Sequence, residues 1–320
     1  MFGIRIKNEA LVYNAQLEQP IPRVGEVLIK VAYTALNRAD LFQMQGSYPA
    51  PEGASPLPGL EVSGTIAALG EGVTEFQIDE EVCALLEGGG YGEYVNVAAS
   101  QTLPLPKGWS LREAGALPEG LFTIWLALFH TAHVTAGETV LIHGGASGIG
   151  HLASQMVTAA GATAITTAST PEKCQFSEAH GAVKSYSYKE GDFVEAIKTH
   201  HGGVDVVLDM VGGDYFPKNL KCLKRGGRMV SIAFLRGAKA EINMAPLLLK
   251  QISWHGLTLR SRSAKEKAIL AQEIRQHCWN WLENRQIIPA IDSEYPLQHA
   301  EKAIKKLEQN LNLGKILLKA

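Results

Sequence analysis

The chain has 320 residues, with 30 lysines and arginines against 32 aspartates and glutamates, for a formal net charge of −2. That balance supplies no electrostatic drive toward nucleic acid or an anionic membrane surface, and no apolar run reaches the roughly 20 residues a membrane span needs. At roughly 150 residues per domain, the length predicts about two domains.

The N-terminus, MFGIRIKNEALVY, alternates apolar and charged residues as a strand does, without the uninterrupted apolar stretch of a signal peptide. Short strands follow between Gly and Pro turns: EVLIKVAYTAL (26–36), LEVSGTIAAL (60–69), EEVCALL (80–86) and GEYVNVA (92–98). Closely spaced short strands predict a barrel or sandwich over about the first 115 residues. QGSYPAPEGASPLPG (45–59) interrupts them; its prolines exclude a central strand and its length marks a functional loop.

From Pro118 the pattern changes. Leu121, Ile124, Trp125, Leu128 and Phe129 share one helical stripe, and strands and helices then alternate. Strands are predicted at 139–143, 163–168, 204–209, 227–232 and 252–260, and helices at 149–160, 171–180, 192–200 and 214–223. Alternation of this kind predicts an α/β unit with a parallel sheet covered on both faces. A long amphipathic helix (264–284), a strand near 290–295, the helix LQHAEKAIKKLEQN and the strand GKILLKA do not extend the series. Their return to the first domain would make that domain discontinuous. Cys83, Cys174, Cys222 and Cys278 are scattered with no C-x-x-C pair, which fits reduced thiols in a cytoplasmic protein rather than a zinc knuckle or disulfide framework.

LIHGGASGIG (141–150) joins a buried strand to a helix, yet a G-x-G-x-x-G fingerprint would require glycine at position 147, which is serine. A tight packing turn is one reading. The place of the loop, opening the first strand-turn-helix of the alternating region, favours a phosphate site, because helix N-terminal N–H groups are unsatisfied and partly positive. Gly145, Ala146, Ser147, Gly148 and Ile149 are the candidate contacts. Two later strands end in small or apolar residues, at Val211 and at Ser231, Phe234 and Leu235, where a flat nicotinamide has room. The second strand ends ITTASTPEK, with Ser169, Thr170 and Lys173 in place of the carboxylate that binds an NAD ribose. Hydroxyls and a cation suit a 2′-phosphate, so the expected cofactor is NADPH, with Glu172 the one discordant charge.

These motifs, with ALNRADLFQMQGSYPAPEGAS, PGLEVSGTI, LPEGLFTIW, VVLDMVGG, CLKRGGRMVSI, TLRSR and NLGKILL, resemble the zinc-less quinone oxidoreductases of the medium-chain dehydrogenase/reductase superfamily, nearest the stress-inducible subgroup. The resemblance runs through almost the whole chain in order. It implies a GroES-like β-barrel catalytic domain from residues 1–117 and 263–320, a Rossmann domain with a doubly wound parallel sheet over 118–262, a homodimer, and hydride transfer from NADPH to a quinone. By matching positions, Ser169 and Lys173 would bind the 2′-phosphate, Tyr188 would pack near the adenosine, and Asn312 would close toward the cofactor. Asn37, Asp40 and Tyr48 would line the substrate cleft, and Ser147 follows a habit of the subgroup. Met44 replaces an arginine usual in that subgroup, which removes a charge from the loop.

Metal-dependent relatives carry a ligand cysteine and a Gly-His-Glu where this chain has Leu36–Asn37 and Gly59–Leu60–Glu61. That leaves zinc too few ligands, so polarisation of a carbonyl falls to hydrogen-bond donors. Tyr48 and Asn37 are the expected donors, and Asp40 is expected to orient the loop. A quinone suits such a site because hydride addition leaves an aromatising anion that one or two donors stabilise. Reduction of an α,β-unsaturated carbonyl in the same pocket and a non-catalytic NADPH-binding structural role are the alternatives.

Overall fold

Along the ten-residue strand Glu26–Ala35, the side chains of Val27, Ile29 and Val31 point into one core with Val62, Ile66, Phe76, Val82, Val95 and Val97. This period-2 apolar face places it at the centre of a sheet. In the computed structural model, which describes residues 1–320, it pairs antiparallel with Glu61–Leu69, Tyr94–Ala98 and Lys315–Lys319. Glu81–Leu85 and Thr102–Pro104 extend the sheet on one side and Ile291–Pro296 on the other. The C-terminal strand therefore lies beside one from the first 40 residues, with Leu317 opposite Ala35. An N-terminal hairpin, Gly3–Lys7 with Ala10–Asn14, turns at Asn8 and Glu9, both at positive φ, as a two-residue hairpin turn requires.

The compact unit built on this sheet comprises Met1–Phe122, Arg260–Asn284 and Pro289–Ala320; a second comprises Thr123–Leu259 and Arg285–Ile288. The divisions at 122/123 and 259/260 fall a few residues from the expected 117/118 and 262/263. The expected helix 264–284 is two helices, Ala264–His277 and Trp279–Glu283, broken at the buried Cys278. The first is started by a reciprocal cap in which Ser263 N–H donates to Glu266 Oε2 (2.8 Å) and Glu266 N–H to Ser263 Oγ (3.3 Å).

The second unit is a six-stranded, all-parallel sheet in the order Ala182–Ser187, Thr163–Ala168, Thr139–His143, Val204–Asp209, Leu223–Ser231, Ser253–Gly256. The strand order reverses between Thr139–His143 and Val204–Asp209, the switch point at whose carboxyl ends open α/β sheets bind ligands. Leu141, Ile165, Val207 and Met229 pack with Phe193, Ile197 and Phe216 of the covering helices. Two elements escape the periodicity: the edge strand Ala182–Ser187, whose AVKSYS is too polar to read as a buried strand, and the short helix Ala245–Leu249. The strand expected over 252–260 is only Ser253–Gly256, exposed along its length. The helix begun at Pro118 is α-helical to Ile124 and π-wound over Trp125–Thr131, where Trp125 and Phe129 stack at 4.8 Å between ring centres.

Candidate functional site

In the second unit the glycine loop follows strand Thr139–His143 and leads into helix Gly150–Ala159. Gly150 has no room for a side chain, since a Cβ there would lie 2.2 Å from the Gly144 carbonyl oxygen; at Gly145 it would meet Ser177 Oγ at 2.3 Å. Ser147 bonds on both sides of the turn. Its Oγ accepts from the Gly150 N–H at 2.9 Å, while its own N–H closes the turn onto Gly144 O at 2.9 Å. The serine hydroxyl thus takes up the first N–H of the helix, where the fingerprint would have a glycine. Within the loop, the N–H groups of Ser147 and Gly150 close the turn, that of Gly145 donates to Thr167 O of the neighbouring strand (2.9 Å), and those of Ala146, Gly148 and Ile149 are used in neither. That is the geometry an anion needs at a helix N-terminus.

At the end of the neighbouring strand, Thr170 caps helix Pro171–Ala179 by accepting from the Lys173 N–H (3.3 Å), with Pro171 in the first turn. Ser169 and Lys173 flank this second helix start and are partly exposed. The Tyr188 N–H donates to Ala168 O (3.1 Å), which fixes that tyrosine beside Ser169, its ring edge-on to Tyr215. The residues expected around a 2′-phosphate therefore come together.

The other strand ends are organised by Asp209, a residue for which the sequence pattern alone suggests no role. This buried carboxylate accepts from the N–H groups of Val211 (2.9 Å) and Gly212 (3.2 Å) and from Ser231 Oγ (3.4 Å). Ser231 Oγ also accepts from Trp254 Nε1 at 3.1 Å, so its hydroxyl serves the scaffold. Phe234 and Leu235 stay exposed, held by Leu235 N–H to Met210 O (3.2 Å). His143, the last residue of its strand, is buried between Thr167 Oγ1 (2.8 Å) and Asn219 Oδ1 (2.7 Å), and burial lowers its pKa, keeping the ring neutral.

In the first unit, Asn37 and Asp40 open helix Arg38–Met44, and the two are tied by the Asn37 N–H donating to Asp40 Oδ2 (2.7 Å). Asp40 is fully buried and also accepts from Tyr91 Oη (2.8 Å) and Gly59 N–H (3.2 Å). Burial outweighs these bonds and raises its pKa to about 6. Asn37 is not available as a donor: its Nδ2 donates to Glu61 Oε1 (2.8 Å) and Ala35 O (3.3 Å), and its Oδ1 accepts from Lys315 Nζ (2.8 Å). Both amide hydrogens of Asn37, expected to polarise a substrate, are thus engaged within the chain.

Lys315 and Glu61 form a buried ion pair at 2.5 Å, and Glu61 Oε2 accepts from the Glu119 N–H (3.0 Å). Both residues stand in family-like motifs, PGLEVSGTI and NLGKILL, but a charged pair 254 positions apart leaves no local signal. Asn312 is buried with its Nδ2 donating to Gly314 O (2.7 Å), shaping the turn into the Lys315 strand. Tyr48 is half-buried, and its hydroxyl donates to no group of the chain. Of the three expected residues, it alone has a proton free for a ligand.

Two family models match, the alcohol dehydrogenase GroES-like domain over residues 23–107 and the zinc-binding dehydrogenase model over 148–274. The quinone oxidoreductase of Rattus norvegicus is 32% identical over 314 residues, covering 97% of this chain and 94% of that protein. The chain belongs to the medium-chain dehydrogenase/reductase superfamily. A synaptic vesicle membrane protein VAT-1 homolog of Danio rerio is 30% identical, with 94% of this chain and 65% of that protein covered. Among solved structures, the Escherichia coli quinone oxidoreductase complexed with NADPH superposes with a TM-score of 0.87 at 27% identity, over the full length of both chains.

Within this superfamily member, no group of three or more His, Cys, Asp or Glu side chains is arranged to hold a metal ion.

Proposed function

We propose that the chain is an NADPH-dependent reductase of quinones. The observation that carries this reading is the contrast between the two expected donors: Asn37, like the loop-orienting Asp40, is locked into the scaffold, and Tyr48 keeps its hydroxyl proton. NADPH, the ligand named with the Escherichia coli relative, fits the second unit's residues, because the loop closed by Ser147 offers N–H groups and the strand end carries Ser169 and Lys173 in place of a carboxylate. When bound, it supplies the hydride.

Tyr48 donates a hydrogen bond to the quinone oxygen on which negative charge develops. Helix Arg38–Met44, fixed through Asp40 and Tyr91, sets where the Tyr48 loop begins. Asn37, Glu61 and Lys315 hold the strands beneath that helix in register. The Lys173 ammonium and the N-terminus of helix Pro171–Ala179 take the 2′-phosphate, with Tyr188 beside the adenosine.

The test is turnover of NADPH against a panel of ortho- and para-quinones and alkenals, with the wild type and Tyr48→Phe. Quinone reduction by the wild type and a loss of about 10²-fold in kcat for Tyr48→Phe support the reading. Preferential turnover of alkenals would move the assignment to α,β-unsaturated carbonyls, and tight NADPH binding with no turnover of either class would refute an enzymatic role.

We also infer a homodimer. Strand Ser253–Gly256 is an exposed sheet edge, and Trp254 (50% exposed), Met244 (66%), Leu248 (80%) and Leu249 (75%) make an apolar surface beside it. A second copy related by a two-fold axis would cover that edge with an identical one.

A further inference from the structure

Arg260 is a buried cation with no part in the chemistry proposed so far. Only 6% exposed, it donates from Nε (2.9 Å) and Nη2 (2.6 Å) to Glu87 O, from Nη1 to Tyr48 O (3.0 Å), and from Nη2 to Gln43 Oε1 (2.9 Å). The ring of Tyr48 lies against the same group, with the guanidinium carbon 5.3 Å from its centroid. The Arg260 main-chain N–H also faces the phenol oxygen. Arg260 is anchored in turn: its carbonyl accepts from Lys267 Nζ (3.1 Å), which pairs with Glu87 Oε1 at 2.5 Å. Helix Arg38–Met44, the Tyr48 loop, the Glu87 turn and the segment before helix Ala264–His277 thus meet at one planar fork. A lysine has neither the fork nor the face to make these contacts together.

We propose that Arg260 is the positioning residue of the reduction: it fixes the Tyr48 phenol by gripping the loop's main chain with the edge of its guanidinium and the ring with its face. This rests on the reading of Tyr48 as the donor. Stability alone would be served by bonds to carbonyl groups anywhere; two of the guanidinium's contacts fall on Tyr48, the residue whose hydroxyl proton is unused.

The charge has a definite effect as well. Burial and the carboxylate of Glu119 raise the Tyr48 pKa above that of an ordinary tyrosine, and the guanidinium and N–H of Arg260 act against them. Asp40, Glu119 and Glu87 in turn hold Arg260 in its charged form against desolvation. Without the cation the phenol is a weaker acid and a poorer donor to a developing oxyanion.

The experiment is steady-state reduction of 1,4-benzoquinone by NADPH across pH, with Tyr48→Phe, Arg260→Met, Arg260→Lys and the double variant Tyr48→Phe/Arg260→Met. Arg260→Met is expected to lower kcat about tenfold or more, leave the KM for NADPH within about twofold, and move the alkaline limb of kcat/KM to higher pH. Arg260→Lys, which keeps the charge, should leave the limb in place with a smaller loss of kcat. Tyr48→Phe should lack the limb, and adding Arg260→Met to it should change kcat by less than about twofold. Thermal melts and NADPH binding establish that each variant folds; if Arg260→Met does not, a cycle of Arg260→Lys with Tyr48→Phe makes the same comparison. Full turnover in Tyr48→Phe overturns the donor reading and this one with it. Loss in Tyr48→Phe with Arg260 variants unaffected, or with losses that add and a limb that stays put, overturns the role of Arg260 alone.

Discussion

At the scale of single residues, the molecule separates groups that bind from groups that hold others in place, and charge is the useful discriminator. Lys173 follows a threonine-capped helix start beside Ser169, so its ammonium and the helix dipole favour the same anion. Lys173→Glu should lose a charge-assisted contact worth about 1.5 to 3 kcal/mol, seen as a rise of about ten- to a hundredfold in the KM for NADPH with that for NADH little changed. An unchanged preference between the two nucleotides would place the 2′-phosphate elsewhere. Lys315 and Glu61 are the opposite case, two charges paired at 2.5 Å out of water. Lys315→Met leaves a carboxylate buried without its cation and should cost about 3 to 5 kcal/mol in urea unfolding. Lys315→Met combined with Glu61→Gln should recover most of that loss; losses that simply add would show that the pair contributes as independent groups.

Among the elements, helix Arg38–Met44 depends on Asp40, whose pKa is raised to about 6 because burial outweighs the N–H groups of Asn37 and Gly59 and the Tyr91 hydroxyl. The folded state therefore binds a proton more tightly than the unfolded chain. Its contribution to stability is fully present below the unfolded pKa of 3.8 and is lost as pH rises through about 6. Asp40→Asn offers one acceptor oxygen where the carboxyl's two serve three donors, so it should be less stable than the wild type. The deficit should shrink by about 2 to 3 kcal/mol between roughly pH 4 and pH 7, because only the wild type loses the proton-linked term. Chemical unfolding at several pH values measures this, and a deficit independent of pH would mean that Asp40 titrates as it does in the unfolded chain.

For the whole molecule, the exposed edge strand Ser253–Gly256 and helix Ala245–Leu249 define the surface through which copies would associate. Leu248→Glu with Leu249→Glu changes two side chains that are 80% and 75% exposed, so folding should be unaffected while sedimentation shifts from dimer to monomer. A wild type that is already monomeric would remove the dimer proposal. The sequence alone determined the alternation of strands and helices after residue 118, the serine-bearing glycine turn and the Ser169–Thr170 pair at the end of the next strand, because period, turn chemistry and charge are local properties. It under-read the edge strand Ala182–Ser187 and the break at Cys278, where pairing and packing override a weak pattern. It named Tyr48 and Asn37 as donors and Asp40 as the residue that orients their loop, but could not choose between the two donors. Only the tertiary structure, by bringing Glu61 and Lys315 to Asn37, Tyr91 to Asp40 and Arg260 to Tyr48, decided which side chains are already hydrogen-bonded and which one keeps a proton to give.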